Sequence, residues 1–265
     1  MDTLDNFKAA QRKSWAHFAS LAASTTIPAA RLVQFAGIAP GDRVLDVACG
    51  TGVVAVTAAL RGARVTALDL TPELLAVAHD NARLAGVDMA FHEGDVESLP
   101  FGDAVFDCVT SQFGHIFAPR PEVAISEMLR VLRPGGTIAF ATWPPELYIG
   151  RLFALISSYM PPPPPGVSPP VEWGDPAIVR SRLGAAVRDL AFDRDTMLAP
   201  ALSAQHCRDS FERTAGPIMA IVETLGGSDP ARLAAFRADC DALTSQYLRN
   251  NTVHQGYLLT RAVKV

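Results

Sequence analysis

Residues 44–52 read Val-Leu-Asp-Val-Ala-Cys-Gly-Thr-Gly, and no other stretch limits the possible folds so sharply. A short apolar run bounded by Pro40-Gly41-Asp42 before it and by Gly50 after it has the pattern of a strand buried on both faces. Burial on both faces belongs to parallel sheets, whose strands are joined by helical crossovers. The alanine-rich segment 51–61 supplies such a helix, stopped by Gly62. A strand that passes through a glycine turn into a helix leaves unpaired N–H groups and about half a positive charge at the helix start. Gly50 and Gly52 allow a ligand to approach the backbone there, because no Cβ intervenes. The spacing is not G-x-G-x-x-G, so it differs from the pyrophosphate cradle of the dinucleotide folds.

The same alternation continues to about residue 143. Strands are expected at 43–48, 63–70, 88–95, 105–111 and 137–143. Thr71-Pro72 provides a cap and a first-turn proline for a helix to about Ala85, closed by Gly86. Pro121 opens another helix, in which Val123, Ile125, Met128, Leu129 and Leu132 fall near helical spacing, and Arg133-Pro134-Gly135-Gly136 reads as a turn. Two further strands are expected near 186–192 and 253–263. Alternating strand and helix specify an α/β fold with a parallel sheet.

Segments outside the alternation define the remaining organisation: an N-terminal helical cover (1–37), the α/β core (38–143), a Pro-rich connector and lid with a sheet strand (144–202), a helical insertion (203–250) broken at Gly216-Pro217 and Gly226-Gly227, and a final strand (251–265). Pro161 to Pro165 must be polyproline II, which suits a rigid connector.

Composition narrows the function. Hydrophobic residues make up 49% of the 265 positions and charged residues 19%, which supplies a full core and argues against wholesale disorder. With a net charge of −4 and no Lys/Arg cluster, nucleic acid is not expected as a partner. No run reaches the roughly 18 apolar residues of a membrane span, the N-terminus lacks a signal-type apolar region, and Cys49, Cys108, Cys207 and Cys240 form no metal-type pairs. A cytoplasmic protein without a metal site is expected, as a monomer or homodimer.

VLDVACGTG resembles motif I of the class I S-adenosylmethionine-dependent methyltransferases, and with the segments that follow it is similar to the ubiquinone/menaquinone-biosynthesis-type (methyltransferase type 11) subgroup. Ala48 stands where the family's D-x-G-x-G-x-G has its first glycine. Gly94-Asp95-Val96, Phe101-Gly102-Asp103 and Arg130 to Gly136 match later family segments, so the likeness spans about residues 40–143. The resemblance implies a doubly wound, Rossmann-like seven-stranded sheet with the last strand antiparallel, and S-adenosyl-L-methionine as cofactor. It places the cofactor's amino-acid end over Ala48, Cys49, Gly50, Thr51 and Gly52, with Asp46 supporting the loop. Asp69, 17 residues beyond Gly52, would accept the ribose hydroxyls, Leu70 would flank the adenine, and Asp95 with Val96 would receive its amino group.

The resemblance also implies that the acceptor meets the cofactor beyond the fourth strand, at Ser111-Gln112-Phe113-Gly114-His115. Ser111 and Gln112 are expected to line the cofactor pocket. His115 is the one titratable group in that stretch; it is either a general base or a histidine that lines the pocket or caps a loop. Trp15 and Phe18 either cover the site, where aromatic faces favour a sulfonium, or pack their helix. Cys49 has no neighbouring His or Lys to lower its pKa, so it reads as filler. The acceptor is expected to be held by the segments outside the sheet, 1–37, 144–175 and 203–250. Their apolar and aromatic residues Phe153, Leu155, Ile156, Tyr159, Met160, Trp173, Phe211, Ile218, Met219 and Tyr247 either form a lid for a small apolar or aromatic acceptor or pack helices on the sheet edge. A cofactor-binding protein without methyl transfer remains the alternative. A nicotinamide-dependent oxidoreductase is disfavoured by the glycine spacing and by the lack of a Tyr-x-x-x-Lys pair.

Overall fold

A computed structural model describes residues 3–265. The chain opens with α1 (Thr3–Trp15), a 3-10 segment (Phe18–Thr25) and α2 (Thr26–Ala36), which ends at Gly37 in the left-handed conformation. The α/β core follows: β1 (Arg43–Val47), α3 (Val53–Leu60), β2 (Arg64–Asp69), α4 (Pro72–Ala85), β3 (Ala90–Glu93), β4 (Phe106–Gln112), α5 (Pro121–Val131) and β5 (Leu132–Thr142). Next come α6 (Tyr148–Tyr159), the extended proline run, and α7 (Pro176–Leu183). Then follow β6 (Val187–Pro200), the helices α8 (Ala204–Thr214), α9 (Gly216–Ser228) and α10 (Pro230–Ser245), and the strands β7 (Leu248–Arg249) and β8 (Thr252–Lys264).

The sheet runs β3-β2-β1-β4-β5-β8-β6. Its first five strands pair in parallel, while β8 is antiparallel to both β5 and β6. β1 shows why the expected pattern appears: Val44, Leu45 and Val47 are fully buried, as a strand covered on both faces requires. From β1 the chain moves outward through α3 to β2, and from β4 it moves the opposite way through α5 to β5. Right-handed crossovers in opposite directions put those helices on opposite faces of the sheet. The reversal between β1 and β4 opens a crevice at the carboxyl ends of those strands, the usual place for a ligand in such a sheet.

Three expectations are corrected in detail. The seven strands along the path are joined by the two-residue β7, which pairs only with β8. Residues 133–136 are not a turn ahead of the fifth strand but a bulge inside it, because pairing jumps from Phe106–Leu132 to Cys108–Thr137. α9 runs through Gly226-Gly227 and stops at Asp229, whose side chain caps α10.

The insertion packs as a three-helix lid, with α10 and α9 against α6, and α9 also against α1. Tyr148 on α6 bonds Thr244 on α10 at 3.0 Å inside this contact. Gly216 meets Ser14 so closely that a Cβ would sit 1.5 Å from its hydroxyl, so α9 cannot approach α1 this way with any larger residue. No described helix is long and apolar enough to cross a membrane.

Candidate functional site

The turn after β1 is held from three sides. Asp46 is 1% exposed beneath it; one carboxylate oxygen accepts from the Ala55 N–H of α3 and the other from the Thr110 hydroxyl of β4, both at 3.1 Å. Burial pushes this carboxyl up to about 7 despite those two bonds, with Asp69 adding to the shift. Asn81 of α4 donates to the Thr51 carbonyl at 2.9 Å. Asp69, at the end of β2, accepts from the Gly50 N–H at 2.7 Å and from the Thr71 N–H at 2.8 Å. Asp69 therefore ties the first turn to the second before any ligand is considered, a role the sequence spacing alone does not reveal.

The two glycines of the turn differ. Gly50 has φ +56°, and a Cβ there would meet nothing within 4 Å, so its open side is the cavity. Gly52 faces the other way: a Cβ would lie 2.9 Å from the Ala78 Cβ, and Gly52 is not among the cavity-lining residues. Its glycine lets α3 start against α4. Ala48 also departs from a simple glycine replacement, since it holds φ 50°, a left-handed conformation that costs L-residues about 1–2 kcal/mol. Its methyl is matched by Gly114, where a Cβ would fall 2.5 Å from the Ala48 carbonyl oxygen. Cys49 is buried, and burial followed by the Asp69 and Asp46 charges pushes its thiol well above the ordinary value, which removes it as a nucleophile.

Ala48, Cys49, Gly50, Thr51, Asp46, Asp69, Leu70, Asp95, Val96 and Gln112 all border one cavity of about 380 Å³. Asp95 is not free within it. Its Oδ1 accepts from the Glu97 N–H at 2.9 Å, and its Oδ2 pairs with Lys8 Nζ from α1 at 2.5 Å. Lys8 also reaches the buried Glu97 at 2.6 Å. Burial lowers the Lys8 ammonium pKa, but the bonds to Asp95 and Glu97 outweigh it and leave the value raised.

Two residues of the stretch at the end of β4, Ser111 within the strand and His115 just after it, fall outside the cavity lining. Ser111 is fully buried, donating to the Val47 carbonyl at 2.8 Å and accepting from the His115 N–H at 3.2 Å, so it joins β4 to β1. His115 is also fully buried, packed 4.8 Å from the Phe140 ring and 4.7 Å from the Trp173 ring. Burial and then the Arg182 charge pull its imidazole down to about 3, so it is neutral across the physiological range. It is not among the residues that border the cavity. This geometry favours a histidine packed into the core over a general base.

Trp15 and Phe18 do reach the cavity, although Phe18 belongs to the 3-10 segment rather than to α1. Trp15 packs on Phe117 with ring centroids 4.4 Å apart. Phe153, Ile156, Phe211 and Ile218 line the roof, whereas Leu155, Tyr159, Trp173, Met219 and Tyr247 lie outside the lining and Met160 is exposed. Phe113 falls in the stretch expected to meet the acceptor, while sequence reading missed Trp143, Met197 and Gln255, which complete the wall. Only the β4–β5–β8–β6 pairing brings these four distant positions together. The isolated histidines His17, His79, His92, His206 and His254 stay outside the cavity, and among the described residues no group of His, Cys, Asp or Glu could hold a metal.

These residues fit an S-adenosylmethionine molecule. The open side of Gly50 at the start of α3 can take an amino-acid carboxylate. The buried Asp69 retains acceptor lone pairs beyond its two backbone bonds. Gln112 Oε1 is a buried acceptor with no donor in the protein.

The comparisons with known proteins agree. A family model described as a methyltransferase domain matches residues 45–140. An uncharacterised protein of Mycobacterium tuberculosis is 37% identical over 96% of this chain and 93% of its own length. The demethylmenaquinone methyltransferase of Thermus thermophilus is 41% identical over 39% of this chain and 48% of its own. A solved phosphoethanolamine N-methyltransferase from Haemonchus contortus, with S-adenosylhomocysteine bound, has a TM-score of 0.56 at 18% identity. It covers 89% of this chain and 52% of that one, a likeness of fold.

Proposed function

The chain belongs to the S-adenosylmethionine-dependent methyltransferases, and from that premise we propose that it methylates a small, neutral acceptor of apolar or aromatic character. The observation that carries this reading is the single cavity, which borders the Gly50 turn, Asp69 and Asp95 and also the apolar roof of Phe153, Phe211 and Ile218. One cavity with both kinds of lining supports a cofactor and an acceptor side by side.

When bound, S-adenosylmethionine would supply an activated methyl group on a positively charged sulfur. The residues of the chain do the holding. Gly50 and Thr51 receive the amino-acid end, Asp69 the ribose, and Asp95 and Val96 the adenine edge, with Leu70 at its face. Trp15, Phe18 and the lid keep water out. Cys207 is the titratable lining residue contributed by the lid, and burial raises its thiol further. Catalysis in this reading rests on alignment of the nucleophile in a dry site rather than on a protein base.

The shortage of proton acceptors near the lid also gives some support to a second reading, a cofactor-binding protein without methyl transfer. Incubation with methyl-tritiated S-adenosylmethionine and a fractionated extract of hydrophobic small molecules separates the two. Label in an organic-soluble product with matching S-adenosylhomocysteine supports transfer. Cofactor binding with no turnover on any fraction supports the second reading.

A further inference from the structure

The far wall of the cavity is the overhang of β6 and β8. The last β5–β8 pair is Thr142–Leu258, and the two outer strands continue past it as a ribbon, with Met197 opposite Gln255 and Ala199 opposite Val253. Residues directly opposite in an antiparallel pair share a face, and Met197, Ala199 and Gln255 all border the cavity. Gln255 is the polar one of the three. It is 4% exposed, yet its side-chain amide makes no hydrogen bond among the described residues, and neither its Oε1 nor its Nε2 is sealed off by protein. A carboxamide buried in this way and open only toward the cavity holds one donor group and one acceptor group for a ligand.

The surroundings of the amide define what it can hold. The next pair along the same face is Asp195–Tyr257. Arg31 of α2 pairs with Asp193 and Asp195, and none of these four residues borders the cavity. The charged residues that do border it, Lys8, Asp46, Asp69 and Asp95, belong to the cofactor end. α8, which begins just after β6, adds the Ser210 hydroxyl and the Cys207 thiol, and burial keeps that thiol above its ordinary value and so neutral. An ionised group brought to Gln255 would therefore be buried without a counter-ion. Place in the sheet also sets a distance. Neighbouring strands lie about 4.8 Å apart, and β8 is the second strand beyond β4, so Gln255 stands roughly 10 Å to the side of the end of β4. From the Gly50 turn it is three strands away.

We propose that Gln255 selects the acceptor by holding the end remote from the methylated atom, through a neutral group that presents a donor beside an acceptor, as a carboxamide does. The proposal rests on the methyltransferase reading of the cavity and adds a second anchoring point to it, away from the reacting atom. The test is calorimetric titration of the protein loaded with S-adenosylhomocysteine, using 2-naphthamide, 2-acetylnaphthalene and 2-naphthoate. The three share ring and shape but present a donor with an acceptor, an acceptor alone, and a charge. The amide should bind about tenfold more tightly than the ketone, and the carboxylate should bind more weakly than the amide by at least about tenfold. Gln255→Leu should remove the advantage of the amide over the ketone; if that variant does not fold, Gln255→Met makes the same comparison. Equal affinity of the parent protein for amide and ketone, or an unchanged preference in the folded variant, would overturn the role of Gln255 alone. Naphthoate bound as tightly as the amide would overturn the neutral class. Protein that takes up no S-adenosylhomocysteine would overturn the cofactor reading, and the role of Gln255 with it.

Discussion

At the scale of single residues, two buried titratable groups oppose each other. Asp46 titrates near 7 in the folded chain because burial disfavours its charge, against about 3.9 when unfolded. A carboxyl raised on folding binds its proton more tightly in the native state, so its contribution to stability falls as pH rises from about 4 to about 7. Asp46→Asn removes that ionisation and keeps one acceptor. It should therefore be more stable than the parent at pH 8, by on the order of a few kcal/mol, with the gap closing near pH 4 in urea denaturation. His115 works the other way. Its imidazole is pulled down to about 3, so the unfolded chain takes up a proton below about 6.5 that the folded chain refuses, and stability falls on acidification. Since His115 is not among the residues that border the cavity, His115→Leu should retain turnover within about threefold, and the acid limb of the stability profile should flatten. A drop of a hundredfold or more at unchanged cofactor affinity would restore the histidine to the chemistry. Gly114→Ala forces a methyl to within 2.5 Å of the Ala48 carbonyl. It should cost about 1–3 kcal/mol as overpacking and lower the melting temperature.

At the scale of elements, α1 is pinned over the cofactor end by Lys8, which joins Asp95 and the 1% exposed side chain of Glu97. Glu97 also pairs with Arg120 at 2.7 Å, so losing Lys8 does not leave it without a cation. Lys8→Met should then destabilise the fold by only about 1–3 kcal/mol, at or below the cost of breaking a buried pair outright. Amides of α1 should exchange faster while those of β1 and β4 keep their protection. Uniform acceleration across the chain would mean that α1 is part of one cooperative unit. None of this was visible in the sequence, where Lys8 is one cation in a mixed-charge helix and Asp95 lies 87 residues away. The helix starts and stops at Pro72 and Gly86 were legible because caps are local; α4 begins and ends at those signals. Gly226-Gly227 misled for the same reason, as the packing of α9 in the lid overrides a local break.

At the scale of the whole molecule, the parallel core was readable because strands buried on both faces form unbroken apolar runs. β6 was read as less than its fourteen residues because it is the sheet's outer strand and is mostly exposed along its length. The cofactor loop was readable as a motif, but its division of labour was not. Gly50 opens to the cavity while Gly52 packs on Ala78, and Ser111 turned out to be a strand-to-strand tie. The acceptor wall was the least legible part. Gln112, Phe113 and Trp143 meet through the β4–β5 pairing, and Gln255 joins them only because β8 pairs beyond β5, non-local contacts that no window of sequence contains.

The central claim is that the Gly50 turn and Asp69 hold S-adenosylmethionine, and calorimetric titration with S-adenosylhomocysteine tests it most directly. The account predicts one-to-one binding to the parent protein and a loss of about tenfold to a hundredfold in Asp69→Ala, the size of lost hydrogen bonds to a charged group. No binding by the parent, or equal affinity in the two proteins, would contradict it.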